Sequence, residues 1–134
     1  MKIIEFMTTR VEYIDAEQSV YDAVEILVDR RTRSVVVRTT GGPDDYGVVT
    51  ARDVVFKVLG RGLNPKEIKV FEIASVPLIC VPAETEFGEV AAMMKDRNIA
   101  RVYVRDGEEI IGLVSLLDLM SAELIMRARG KHVS

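Results

Sequence analysis

The chain has 134 residues, 49% of them apolar and 29% charged, with a formal net charge of −3. That balance fits a soluble module able to bury a core without metal or disulfide staples. One cysteine (Cys80) and one histidine (His132, two residues from the end) argue against an internal disulfide, a zinc spacing and Ser-His-Asp or Cys-His catalysis. The longest uncharged stretch, Ile73 to Ala83, is 11 residues with two prolines, well short of the ~20 a membrane span needs. No secretory leader follows Met1, so a cytoplasmic protein is expected, and without a general base or metal set no catalysis is expected. Neither GxGxxG nor GxxxxGK occurs. Twelve of the 18 basic residues are arginine, which suits phosphate, but acidic residues outnumber basic ones at 21 to 18. Small phosphorylated ligands fit that balance better than nucleic acid.

In chain order, the first clear element is a helix face: Val20, Ala23, Val24 and Leu27 fall at i, i+3, i+4 and i+7. A β-rich run follows, Val35-Val36-Val37, then a turn from Thr39 to Asp45 and a second strand from Gly47. The spacing predicts another helix from about Ala51 to Leu59, and Gly60 to Lys66 reads as a join. The pattern then starts again. Sliding the chain by 67 positions aligns residues 5–38 with 72–105 without a gap, with eight identities in 34. Ordinary composition gives roughly two. Beyond the shorter second turn, Asp106 to Glu109, the offset becomes 65 and a last helix runs from about Leu116 to Arg127. The expected fold class is α+β: two β-α-β-β-α repeats, 1–66 and 67–134, packed as a pseudo-two-fold pair around a shared core.

Each repeat carries G-x-x-T/S-x-x-D at the passage from strand to helix, as Gly47…Thr50…Asp53 and Gly112…Ser115…Asp118. One reading is structural: a hydroxyl followed three residues later by an acid caps a helix. The other is functional, since orphan N–H groups and a hydroxyl can meet phosphate while a carboxylate accepts both hydroxyls of a ribose. Capping alone does not ask for the repeated glycine; a close approach by a ligand does. Arg33, Arg52 and Arg101 are the cations placed to neutralise phosphate.

These two units resemble a tandem pair of cystathionine-β-synthase (CBS) domains, the arrangement called a Bateman module. Phe6-Met7-Thr8-Thr9 is similar to the family's opening, and Asp15-Ala-Glu-Gln-Ser-Val and Pro82-Ala-Glu-Thr-Glu-Phe to its lead into the first helix. Arg33-Ser-Val-Val-Val37 and Ala100-Arg-Val-Tyr-Val104 resemble its hairpin entry. Both lack the family's proline, and the basic residue falls one place earlier in the first copy. The resemblance implies a stand-alone regulatory module that binds AMP, ADP or ATP in clefts between the repeats; the alternatives are an S-adenosylmethionine sensor and a structural or nucleic-acid-binding adapter that uses the same fold. No required cofactor is implied. Asp53 and Asp118 would hold ribose, Thr50 and Ser115 the ribose-phosphate end, Val48 and Leu113 the purine slot. Ala16 and Ala83 would face the purine of the opposite cleft.

Other signals have plainer readings. Arg30 to Arg33 reads as a solvated helix end rather than a nucleic-acid patch, and Cys80 as a buried, inert thiol. The basic stretch Arg127 to His132 reads as a fraying tail. Ile26 and Val28 widen the apolar arc of the first helix, and Met93 and Ala92 that of its counterpart. The expected consequence is a homodimer through the first helices, at Ile26 and Met93. The regulated partner protein is unknown from the sequence.

Overall fold

The computed structural model describes residues 1–130, and His132 and the end of the basic tail lie outside them. The elements are β1 (Tyr13–Asp15), α1 (Val20–Asp29), β2 (Ser34–Arg38), β3 (Gly47–Thr50), α2 (Ala51–Lys57), β4 (Cys80–Pro82), α3 (Phe87–Arg97), β5 (Arg101–Asp106), β6 (Glu109–Ser115) and α4 (Leu116–Ala128). They form two three-stranded sheets, β1-β2-β3 and β4-β5-β6. In each, the first two strands run parallel through a helical crossover and the last two form an antiparallel hairpin. The expected β-α-β-β-α order is present twice. The second helix of the first repeat ends sooner than expected, at Lys57, and passes into a 3-10 turn at Leu59–Arg61.

The compact units do not divide at the join between the repeats. A central unit comprises Glu12–Leu78, and a flanking unit comprises Met1–Val11 together with the chain from Ile79 onward. Each unit is therefore completed by the segment that precedes the other repeat. In the flanking unit the N–H of Ile3 donates to the Thr85 carbonyl at 2.7 Å, and that of Phe87 to the Met1 carbonyl at 2.8 Å. In the central unit the N–H of Val70 donates to the Gln18 carbonyl, and that of Val20 to the Ile68 carbonyl, both at 2.8 Å. Ile3 and Val70 sit at equivalent places in matching 3-10 turns and are both wholly buried. The offset of 67 pairs these two residues, so the lead segment repeats along with the rest.

Each unit has its own core. Ile14, Val20, Ala23, Leu27, Val35 and Val37 lie at the centre of one; Ile3, Val81, Val90, Met94, Val102 and Val104 form the other. The helical and strand periods of the sequence place these residues inward. Both first helices end in a left-handed residue at the same repeat position, Arg31 (φ 50°) and Asn98 (φ 53°). The following N–H returns to the last turn, Thr32 to the Leu27 carbonyl and Ile99 to that of Met94. Ile26 and Met93, expected on an exposed flank, are half-buried against their own cores. Cys80 is half-buried on β4 rather than fully enclosed.

Candidate ligand-binding corners

In the central unit β3 runs into α2 at Thr50. The Thr50 hydroxyl accepts from the Asp53 N–H at 3.1 Å and donates to Asp53 Oδ2 at 3.0 Å, while the Thr50 N–H donates to the same oxygen at 2.9 Å. The flanking unit repeats this where β6 enters α4. Ser115 accepts from the Asp118 N–H at 3.2 Å and donates to Asp118 Oδ2 through its hydroxyl at 3.0 Å and its N–H at 2.8 Å. Both motifs are therefore reciprocal capping boxes. The next N–H is taken as well, Ala51 by the Arg33 carbonyl at 3.1 Å and Leu116 by the Ala100 carbonyl at 3.2 Å. Of the first-turn N–H groups, only those of Arg52 and Leu117 have no partner among the described residues. One N–H per corner remains for a ligand.

The repeated glycine has a cause other than a ligand. A Cβ on Gly112 would lie 2.6 Å from the Met7 sulfur and 2.9 Å from the Thr8 carbonyl oxygen; on Gly47 it would lie 2.6 Å from Val76 and 2.9 Å from the Ser75 carbonyl oxygen. These neighbours belong to the lead segments, which cross the outer edge of each hairpin as isolated bridges, Thr8 to Leu113 and Ser75 to Val48. Close approach is real, but the approaching group is the protein's own backbone.

The remaining oxygen of each aspartate meets a residue that the sequence motif did not single out. Asp53 Oδ1 pairs with Lys57 at 3.1 Å, and the ammonium also donates to the Ile73 carbonyl at 3.0 Å. Asp118 Oδ1 accepts from the Thr8 hydroxyl at 3.2 Å. The signals were present: Lys57 is four residues beyond Asp53 on one helix face, and the 67-residue offset pairs Thr8 with Ser75.

The other expected site residues divide into near and far. Val48 and Leu113 are half-buried on the edge strands and bonded through their backbones to Ser75 and Thr8. Arg101 stands directly across the β5–β6 ladder from Ser115, whereas Thr50 faces Ser34, leaving Arg33 one residue outside the register. The guanidinium of Arg52 stacks on Phe56, 4.3 Å from the ring centroid, along α2. Ala16 and Ala83 follow β1 and β4 at the other ends of the sheets, since Asp15 pairs with Arg38 and Pro82 with Arg105. The four-residue rise from Ser34 to Arg38 puts Ala16 roughly 13 Å from Thr50 along the strands. There it lines a cavity of about 670 Å³ with Arg38, Thr39, Tyr46 and Phe71. No group of His, Cys, Asp or Glu that could hold a metal ion occurs among the described residues. No helix there is long and apolar enough to cross a membrane.

A family model for the CBS domain matches residues 3–60 and 70–125. An uncharacterized protein of Methanopyrus kandleri is 35% identical over 104 residues, covering 75% of this chain and 53% of its own length. The mitochondrial CBS domain-containing protein CBSX3 of Arabidopsis thaliana is 30% identical over 109 residues, covering 79% and 53%. The chain thus spans about half the length of these two curated relatives. Among solved structures, the hexameric CBS-CP12 protein from bloom-forming cyanobacteria superposes with a TM-score of 0.82 at 32% identity, over 90% of this chain and 69% of that one.

Proposed function

The chain belongs to the CBS-domain family of regulatory modules, and from that premise we propose that it binds an adenosine nucleotide at its strand-to-helix corners and responds by a change of conformation or association. One observation carries this reading. In both units the same hydroxyl and carboxylate stand where a hairpin enters a helix, and the capping box uses only one of the two carboxylate oxygens. The outer oxygen is the acceptor for a ribose diol, and the unpartnered first-turn N–H beside it is a donor for phosphate. The choice of adenine follows from the family alone. S-adenosylmethionine is the alternative ligand, and the arginines near the corners favour a phosphorylated one.

Thermal unfolding with AMP, ADP, ATP, S-adenosylmethionine and GTP tests the proposal. A ligand at 100 times its Kd adds about 2.7 kcal/mol to the folded state. Nucleotide-free protein whose midpoint ignores every adenosyl ligand, or follows GTP equally, refutes the reading.

Self-association is part of the same proposal, on a specific observation. Val55 and Leu59 at α2 and just beyond it are 47% and 49% exposed, and their counterparts Met120 and Leu124 on α4 are 60% and 72% exposed. Exposed apolar side chains thus recur on the second helix of each repeat, where a second copy of the chain would cover them. The cyanobacterial relative is itself hexameric. Sedimentation equilibrium of the wild type beside Met120→Lys with Leu124→Lys checks this. A wild type that stays at 15.0 kDa at micromolar concentration removes self-association from the proposal.

A further inference from the structure

Two corners built on one plan differ in the groups that meet the outer carboxylate oxygen. A carboxylate has about four acceptor positions. In the central corner Oδ2 of Asp53 accepts twice from Thr50, and Oδ1 faces Lys57. The ammonium is tethered at two points, Asp53 and the Ile73 carbonyl, and the Asp53 side chain is only 14% exposed. A ribose reaching Oδ1 has to displace an ammonium held by two acceptors, and the hydroxyl–carboxylate bonds that replace the ion pair carry one charge rather than two. The ammonium therefore competes with the ligand for Oδ1 in this corner.

The flanking corner carries no such lock. The residue equivalent to Lys57 is Ala122, wholly buried and without charge. The outer oxygen of Asp118 meets only the hydroxyl of exposed Thr8, at 3.2 Å. A hydroxyl turns about one bond to release that oxygen or to join a ligand's own hydrogen bonds. The phosphate side differs in the same sense. Arg101 stands across the ladder from Ser115 with no ion pair among the described residues, while buried Ser34 stands across from Thr50.

We infer that Lys57 holds the central corner closed, so that each chain takes a single adenosine nucleotide, at the flanking corner of Thr8, Arg101, Ser115 and Asp118. This rests on the proposed function and makes it asymmetric. Lys57 acts as a specificity-determining residue through Asp53.

Calorimetric titration of AMP into nucleotide-free protein reads the number of sites per chain. One is expected for the wild type and two for Lys57→Met, which keeps the apolar stem and removes the charge. Asp118→Asn, which keeps an acceptor for the helix cap, weakens the wild-type site at least tenfold. Lys57→Met combined with Asp118→Asn retains one site. Two sites per wild-type chain overturn the inference, as does a single site in a Lys57→Met protein that unfolds like the wild type. Should Lys57→Met fail to fold, undiminished AMP binding by Asp118→Asn is equally decisive against it. Absence of binding of AMP, ADP, ATP and S-adenosylmethionine alike by every form refutes the proposed function itself, a result separate from a wrong count.

Discussion

The central and flanking units share a backbone plan and differ in electrostatics. Features that govern the path of the chain recur in register: the buried plugs Ile3 and Val70, the crossed glycines Gly112 and Gly47, the capping boxes at Ser115 and Thr50, the left-handed exits at Asn98 and Arg31. Groups that touch the second carboxylate oxygen do not recur, with Lys57 in one unit and Thr8 in the other. The comparison shows where duplication is constrained. A main-chain crossing at van der Waals distance tolerates no addition, whereas side chains as exposed as Lys57 and Thr8 change at little cost to the fold.

The largest test of this symmetry is at the plugs. Ile3→Ala empties a wholly buried site and is expected to cost about 2–5 kcal/mol. Val70→Ala removes one carbon fewer and should cost about 0.8 kcal/mol less. Urea unfolding gives the magnitudes. Amide exchange then tells whether Ile3→Ala loosens β4–β6 before β1–β3, as the exchanged lead segments require; equal loosening of both sheets breaks the assignment of residues 1–11 to the flanking unit. Next come the glycines. Gly112→Ala and Gly47→Ala each force a methyl against a lead-segment carbonyl at 2.9 Å, a clash expected to cost about 1–3 kcal/mol. Gly88→Ala, where a Cβ meets nothing within 4 Å, should instead raise stability by about 0.5–1 kcal/mol. If all three behave alike in thermal unfolding, close approach is not what demands glycine at 47 and 112.

Smaller effects separate capping from binding. Thr50→Ala and Ser115→Ala each remove a hydroxyl cap and should cost about 1 kcal/mol in chemical unfolding. The two losses should match, because the boxes match, even where ligand affinities differ. The smallest change is Arg31→Asn. At φ 50° an arginine occupies a conformation that asparagine tolerates better, and Asn98 already stands at the equivalent place. A gain of about 0.5 kcal/mol in the unfolding free energy is expected. A loss means that the Arg31 side chain contributes more than its backbone costs.

Local chemistry explains how much of this molecule is legible in its sequence. Helix faces, hairpins, both capping boxes and the duplication depend on residues a few positions apart, so period and spacing reveal them: Val20 to Leu27 did form one buried face, and Thr50 and Ser115 did start helices. The partners of Gly47 and Gly112 lie 28 and 105 positions away along the chain, at Ser75 and Met7, and no local pattern encodes such a pairing. The same glycine that spacing alone assigned to a ligand was claimed in three dimensions by the lead segment. Lys57 was four residues from Asp53 and still unread, because a cation on an exposed helix face is ordinary until the tertiary structure brings the Ile73 carbonyl to hold it. Sequence by itself determined the repeat, its elements and the capping box of each corner, since these follow from backbone periodicity and near-neighbour hydrogen bonds. Only the tertiary structure decided which lead segment completes which unit, and that Ile73 meets Lys57 and Thr8 meets Asp118, because both depend on distances between groups that the chain brings together from far apart.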